Sequence, residues 1–309
     1  MNVLDQSITG DFALYQGDCV EVVKAMPDDS LHYSIFSPPF ASLFTYSNSE
    51  RDLGNARGPA EFFEHFRFLV GDLLRVTMPG RLLSFHAMNL PTSKARDGVI
   101  GLVDFRGELI RTFVNAGWIY HSEVCIWKDP VTAMQRTKAL GLLHKQIKKD
   151  SCMSRQGIAD YVVTMRKPGE NPERVAHTNE SFPVSVWQRY ASPVWMDIDP
   201  NDTLQYRSAR ENDDERHICP LQLPVIRRCV ELWTNPGDRV RRHRIGGRRR
   251  ARDGLALRRR RAEAQLLRTG REKPRGSDGA DLAFRRHDVT CENLDAVTRQ
   301  SALFGSEST

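Results

Sequence analysis

Apolar positions come in short runs separated by polar breaks from the first residues onward. Phe12-Ala-Leu-Tyr15 reads as a strand ending at Gly17-Asp18; Val20, Val22, Val23 and Met26 mark a helix, which Pro27-Asp28-Asp29-Ser30 breaks. Leu31 to Phe36 predicts a second strand that runs directly into Ser37-Pro38-Pro39-Phe40. Ser47 to Pro59 is polar and contains glycine, as loops do, and a long helix begins near Ala60. Phe62, Phe63, Phe66, Leu69, Val70, Leu73 and Leu74 recur at helical spacing, which makes them a core-facing stripe. Pro79-Gly80 is the expected end of that helix, and Arg81 to Phe85 the next strand. A helix over about 107–115 leads through Gly117 to a strand over Ser122 to Trp127. Strands alternating with helices predict an α/β fold with a mostly parallel sheet covered on both faces.

The pattern fades between Asp129 and Glu215, where KQIKKDSCMSRQ and PGENPERVAHTNESF are polar and irregular, so an inserted subdomain is expected there. It returns with a helix over Pro220 to Trp233, closed by Asn235-Pro236-Gly237-Asp238. No internal repeat is evident. Of the 309 residues 40% are hydrophobic, enough for one large core. The six cysteines form no CxxC pair, which argues against zinc and against a disulfide framework. No apolar run approaches a membrane span, and MNVLDQSITGDF lacks the basic and apolar regions of a signal peptide, so a cytoplasmic protein is expected. The net charge of +6 changes this picture little, because it is uneven. From Arg241 on there are 18 Lys and Arg against 9 Asp and Glu, which leaves residues 1–240 with 27 against 30. The body is mildly acidic, and the overall charge says nothing about its affinity for nucleic acid.

Ser37-Pro38-Pro39-Phe40 carries candidate chemistry. An exocyclic amine on cytosine or adenine is a poor nucleophile because its lone pair is delocalised into the ring. Acceptors on the amine hydrogens draw the nitrogen toward tetrahedral geometry, and the Ser37 hydroxyl and Pro38 carbonyl suit that task. Pro38 and Pro39 stiffen the turn, and Phe40 offers a ring on which a base rotated out of a duplex could stack. Pro-Pro is also common in plain turns, but this one ends a strand, where open α/β sheets place ligands. Asp18, at the end of the preceding strand, suits either a helix N-cap or a carboxylate accepting from the adenine of a nucleotide-like cofactor, and the two roles are compatible.

With these residues the chain resembles the N4-cytosine/N6-adenine DNA amino-methyltransferases over most of residues 10–240. The resemblance rests on GDCVEVVKAMPDDSLHYSIFSPPF, the following LGN, LLRVTMPGRLLSF, DFRGELIRTFVNAGW with WKDP, and ERHICPLQLPVIRRCVELWTNPGD. It implies a Rossmann-like class I methyltransferase sheet, S-adenosylmethionine as cofactor, double-stranded DNA as partner, and a role in DNA methylation of the restriction-modification kind. The catalytic motif precedes the cofactor segment, as in the family's circularly permuted beta arrangement. The implied domains are a catalytic part at 1–129, target recognition at 130–214, a segment leading into the cofactor strand at 215–240, and a tail at 241–309. Ser37, Pro38, Pro39 and Phe40 are the implied catalytic residues, and Asp18, His217 and Pro220 the implied cofactor residues. His217 reads equally as an ordinary histidine near a helix start. A serine at the first motif position favours cytosine N4 over adenine N6.

The resemblance breaks after Val240. A strand and a glycine loop FxGxGS should follow, bringing backbone amides to the cofactor, and then a strand ending in a carboxylate for its ribose. Instead the chain reads RRHRIGGRRRARDGLALRRRRAEAQLLRTGREKP. Such a segment suits a basic arm for phosphates, a solvated tail, or a family segment translated out of frame. The genetic code favours the last. Read from the second nucleotide of each codon, Val240 to Pro274 can encode FxGIGSEGVVALEMGWRFVGAELKxSYFEQAVKNL, with the glycine loop, a strand ending in glutamate and the KxSY of the family. Residues 241–309 are accordingly expected to be a poorly packed tail with its arginines in solvent, and the sheet to lack its usual central strands. The contrasting reading is a non-catalytic DNA-binding protein that uses the Arg-rich tail as an electrostatic arm.

Overall fold

A computed structural model describes residues 3, 5–9, 12–41, 53–137, 142–203, 221–244 and 254–257. In chain order the elements are β1 (Asp5–Ile8), β2 (Phe12–Gln16), α1 (Cys19–Lys24), β3 (Leu31–Ser37), α2 (Pro59–Val76), β4 (Thr77–Ala87), β5 (Leu90–Pro91), α3 (Lys94–Asp97), β6 (Leu102–Val103), α4 (Phe105–Asn115) and β7 (Ile119–Ile126). There follow α5 (Pro130–Thr137), α6 (His144–Lys149), β8 (Asp160–Arg166), α7 (Val184–Tyr190), β9 (Val194–Trp195), α8 (Leu223–Trp233), β10 (Val240–Arg244) and β11 (Gly254–Leu257).

One sheet runs in the order β1-β2-β11-β10-β3-β4-β8-β7-β9. It is mixed rather than mostly parallel. β10, β3 and β4 run parallel, whereas β8 lies antiparallel between β4 and β7. β8 comes from the region expected to be an insertion, so residues 130–214 are partly built into the main sheet. Val162, Val163 and Met165 of β8 are buried. Because β3 is covered on both faces, its side chains divide between two cores. Leu31 and Phe36 join Val23 of α1, the stripe Phe62, Phe66, Leu69, Val70 and Leu73 of α2, and Leu109 and Phe113 of α4. Tyr33 and Ile35 join Val225, Ile226 and Cys229 of α8 and Trp195 of β9 on the other side.

The helix α2 ends at Val76, three residues before Pro79-Gly80. Thr77 stops it: its backbone N–H and its hydroxyl both donate to the Leu73 carbonyl, the latter at 2.7 Å. Pro79 and Gly80 instead lie inside β4, where the pairing with β3 shifts register between Leu31 and Tyr33, so the missing proline N–H breaks no ladder. Gly80 has φ of 70°, and a Cβ there would lie 2.6 Å from the Asn171 nitrogen. Only glycine meets both demands.

The N-terminal end of β4 is fixed by Arg81, which is 1% exposed. Its Nε donates to the His32 carbonyl at 3.0 Å, Nη1 to the Glu173 carbonyl at 2.9 Å, and Nη2 to the Asp238 carboxylate. Asp238 also accepts from the Asn235 N–H, which ties the turn before β10 to the same point. Removing one partner strands a buried charge. Arg81→Ala is expected to lower stability by about 3–5 kcal/mol, measured by urea denaturation, and a loss under about 1 kcal/mol would refute this account of the pair.

β10 and β11 correct the expectation of a loose tail for residues 241–244 and 254–257; the rest of 241–309 lies outside the described residues. β10 pairs in parallel with β3 from Val240↔Tyr33 to Arg244↔Ser37, and β11 pairs antiparallel with β10 and β2. Backbone pairing is indifferent to side chains, and without β10 the central β3 would leave a row of buried N–H and C=O groups unpaired. The cost falls on the side chains. Arg241 is 3% exposed rather than projecting into solvent, and its Nη1 donates to the Met26 sulfur at 2.9 Å. Among the described residues no carboxylate pairs with it. Burial pulls its guanidinium down to about 10, which still leaves a cation at neutral pH. Residues 245–253 join the strands. A parallel crossover needs a dozen or more residues, so β11 can enter beside β10 only as an antiparallel partner. The predicted glycine-loop position, residues 240–245, coincides with β10 itself except for Ile245, which lies outside the described residues.

Candidate functional site

The parallel strands β3 and β4 carry their reactive side chains at their carboxyl ends, on one edge of the sheet. Ser37 is the last residue of β3 and is half-buried; Pro38, Pro39 and Phe40 behind it are buried. Phe36 pairs with Phe85, which sets Ser37 beside His86, and Ser37 Oγ lies 3.1 Å from His86 Nδ1. After the motif the chain turns sharply through Ala41, a buried alanine with φ of 47°, a left-handed conformation that non-glycine residues seldom adopt. Strain of this kind is held only where its surroundings over-determine the backbone.

His86 is 5% exposed and bears a second contact. Its Nε2 stands 3.2 Å from Asp160 Oδ2, at ion-pair distance although off the ideal hydrogen-bond axis, and Asp160 Oδ1 is 2.6 Å from Lys128 Nζ. Asp160 opens β8 and Lys128 follows β7, so four neighbouring strand ends each supply one member of the row Ser37, His86, Asp160, Lys128. Burial pushes the Asp160 carboxyl up, but the His86 and Lys128 side chains beside it outweigh burial and hold the group below its ordinary value. A depressed carboxyl stabilises the fold above its unfolded pKa of about 3.9 and loses that contribution as pH falls through the lower folded value. Asp160→Asn should therefore flatten the acid limb of stability below about pH 4, seen in urea midpoints against pH, and an unaltered limb would refute it.

Phe40 packs against His86, with ring centroids 5.9 Å apart, and edge-on to Phe105 at 6.3 Å. It is 2% exposed, so stacking on a base would require this ring to be uncovered. Asp18 is the N-cap of α1, its carboxylate accepting from the Val20 N–H at 2.9 Å. His217 and Pro220 lie outside the described residues. Sequence reasoning missed His86, Asp160 and the partnership of Lys128, although Lys128 stands in the WKDP that carried part of the resemblance.

By sequence, no family description and no curated protein matches the chain. Solved structures do match its shape. A candidate DNA modification methylase of Thermus thermophilus has a TM-score of 0.52 at 16% identity, over 73% of this chain and 76% of that one. The same protein complexed with S-adenosyl-L-methionine gives 0.51 at 17% identity, over the same shares. The PvuII DNA methyltransferase, described as cytosine-N4-specific, gives 0.52 at 14% identity, over 78% of this chain and 77% of that one. The chain has the α/β fold of these methyltransferases.

Proposed function

We propose that this chain is a DNA amino-methyltransferase that moves a methyl group from S-adenosylmethionine to the exocyclic amine of a base rotated out of double-stranded DNA, cytosine N4 in preference to adenine N6, and that it is impaired as encoded. The observation that carries the proposal is Ser37 at the carboxyl end of the central parallel strand β3, followed by a rigid Pro-Pro turn. The Ser37 hydroxyl and Pro38 carbonyl accept from the amine hydrogens, and Phe40 flanks the base. The shared fold supports the reaction class, and Ser37 at the first motif position supports cytosine. The strand order supports the permuted arrangement, since the last part of the sheet in the chain, β10 and β11, lies beside β3.

The cofactor side does not fit the same reading. Where a glycine loop should bring amides to the methionine end of the cofactor, β10 runs out through Arg242, His243 and Arg244, and β11 is followed by Arg258 to Arg261 instead of a carboxylate for the ribose. Asp18, two residues past β2 and three strands along the sheet from β3, remains as a carboxylate for the adenine amine. The out-of-frame account explains why one half of the site is coherent and the other is not.

The test is nucleoside mass spectrometry of DNA exposed to the frame-restored chain and S-adenosylmethionine. N4-methylcytosine is expected; N6-methyladenine alone would reassign the base, and no methylated nucleoside would reject the reaction. The excess of Lys and Arg after Val240 favours a second reading, a non-catalytic DNA-binding chain. A steep salt dependence of DNA binding that vanishes when the chain is ended at Leu257 would favour it.

A further inference from the structure

We infer that His86 and Asp160 are positioning residues that turn the Ser37 hydroxyl into a hydrogen-bond acceptor and proton carrier for the base amine, a Ser-His-Asp row put to use on an amine rather than on a carbonyl. The inference rests on the reading of Ser37 as the group that meets the amine. Its basis is the row on the sheet edge: Ser37 Oγ at 3.1 Å from His86 Nδ1, His86 Nε2 at 3.2 Å from Asp160 Oδ2, and Asp160 Oδ1 at 2.6 Å from Lys128 Nζ. Counting hydrogens along the row sets its direction. Asp160 is buried against the Lys128 ammonium, 2.6 Å from its Oδ1, and is an anion, so in the neutral imidazole the nitrogen facing it carries the hydrogen. His86 Nδ1 is then left with a lone pair, and Ser37, which has one hydrogen, donates it there. Both Ser37 lone pairs are left to face outward. A serine without His86 would be as free to donate toward the amine as to accept from it, and a donor would do nothing to localise the amine's lone pair.

The same row disposes of a proton. When the alkylated amine gives one up, its N–H bond breaks as Ser37 Oγ takes that hydrogen, while the original Ser37 hydrogen passes to His86 Nδ1. One proton moves from amine to imidazole, and the resulting imidazolium lies against Asp160. Among the described residues the charged groups facing His86 are Asp160 from β8 and Lys128 beyond β7; Arg106 stacks over Tyr161, 4.2 Å away, and pairs with Glu123. Lys128 neutralises one Asp160 oxygen and leaves the other for His86, which keeps the carboxylate from binding both oxygens to the imidazole.

The experiment reads the row without any methyl transfer, so its failure is separate from failure of the proposed reaction. In the full chain, Ser37→Cys places a thiol against His86 Nδ1, and its alkylation by iodoacetamide is followed against pH on the peptide containing residue 37. A thiol beside a histidine that can take its proton ionises below the ordinary value of about 8.5. Alkylation at about pH 6.5 is expected to be roughly tenfold faster than in the double variant that also carries His86→Gln, and Asp160→Asn should remove most of that difference. Equal pH profiles with and without His86 would overturn the proposal. Should His86→Gln fail to fold, the ¹⁵N shifts of His86 in the unsubstituted chain decide: hydrogen on Nε2 is expected, and hydrogen on Nδ1 would make the imidazole a donor to Ser37 and overturn it.

Discussion

In a chain whose frame has been restored after Asp238, Ser37→Ala should lower methyl transfer about 10²–10³-fold while leaving DNA and cofactor affinity near their starting values. The size follows from where Ser37 acts. In the ground state the target amine keeps its lone pair in the ring and an acceptor gains little from it; in the transition state nitrogen becomes tetrahedral and positively charged, and an oxygen acceptor gains most. Ser37 is half-buried at a strand end, so its loss leaves only a small polar gap and should not unfold the sheet. Single-turnover rates with saturating DNA isolate the chemical step. A variant that turns over within a few-fold of the parent would remove Ser37 from the chemistry and, with it, the reason for preferring cytosine.

How much of this was legible before the fold was known varies with the distance over which the signal acts. The stripe of α2 announced itself because helical periodicity is local, and Phe62, Phe66, Leu69, Val70 and Leu73 are buried as it predicts. The strand that delivers Ser37 was legible for the same reason, apolar Leu31 to Phe36 between two turns. β8 was not. DYVVTMR is a short strand covered on both faces, which shows no alternation, and it sits between polar stretches that drew the whole region into one expected insertion. Missing β8 also meant missing Asp160, and so the partner of His86. Nothing in the local sequence links residues 37, 86, 128 and 160; they meet because β3 and β4 run parallel while β7 and β8 bring the opposite ends of antiparallel strands to the same edge. Pro79-Gly80 misled in the other direction. A pair that usually ends a helix here occupies a register shift within β4, and the helix is ended by Thr77.

Restoring the frame near codon 239, together with the nucleotides lost before it, should raise S-adenosylmethionine affinity at least ~100-fold over the present chain, measured by calorimetry, a gain of about 2.7 kcal/mol or more. Two defects are repaired at once, and they can be separated. The first is the buried cation: Arg241 is desolvated between β10 and α1 with a thioether sulfur as its hydrogen-bond acceptor, a placement that penalises folding. Arg241→Met in the present chain keeps the stem and removes that charge, so it should add roughly 2 kcal/mol to stability. It should add nothing to cofactor affinity, because no amide or carboxylate is supplied by it. The second, on the proposed frame account, is the cofactor loop. The restored reading puts glycine at codons 242 and 244, at the carboxyl end of the strand beside Ser37, where backbone amides and the next helix N-terminus can reach the cofactor. It also replaces a hairpin partner by a helix and a parallel strand ending in glutamate, which supplies the ribose carboxylate. A repaired chain that binds as poorly as this one would end the frame account and leave the basic tail to be explained by its own charge. Binding that recovers in the repaired chain, with Arg241→Met improving stability alone, would place the loss of function in the loop rather than in the strand.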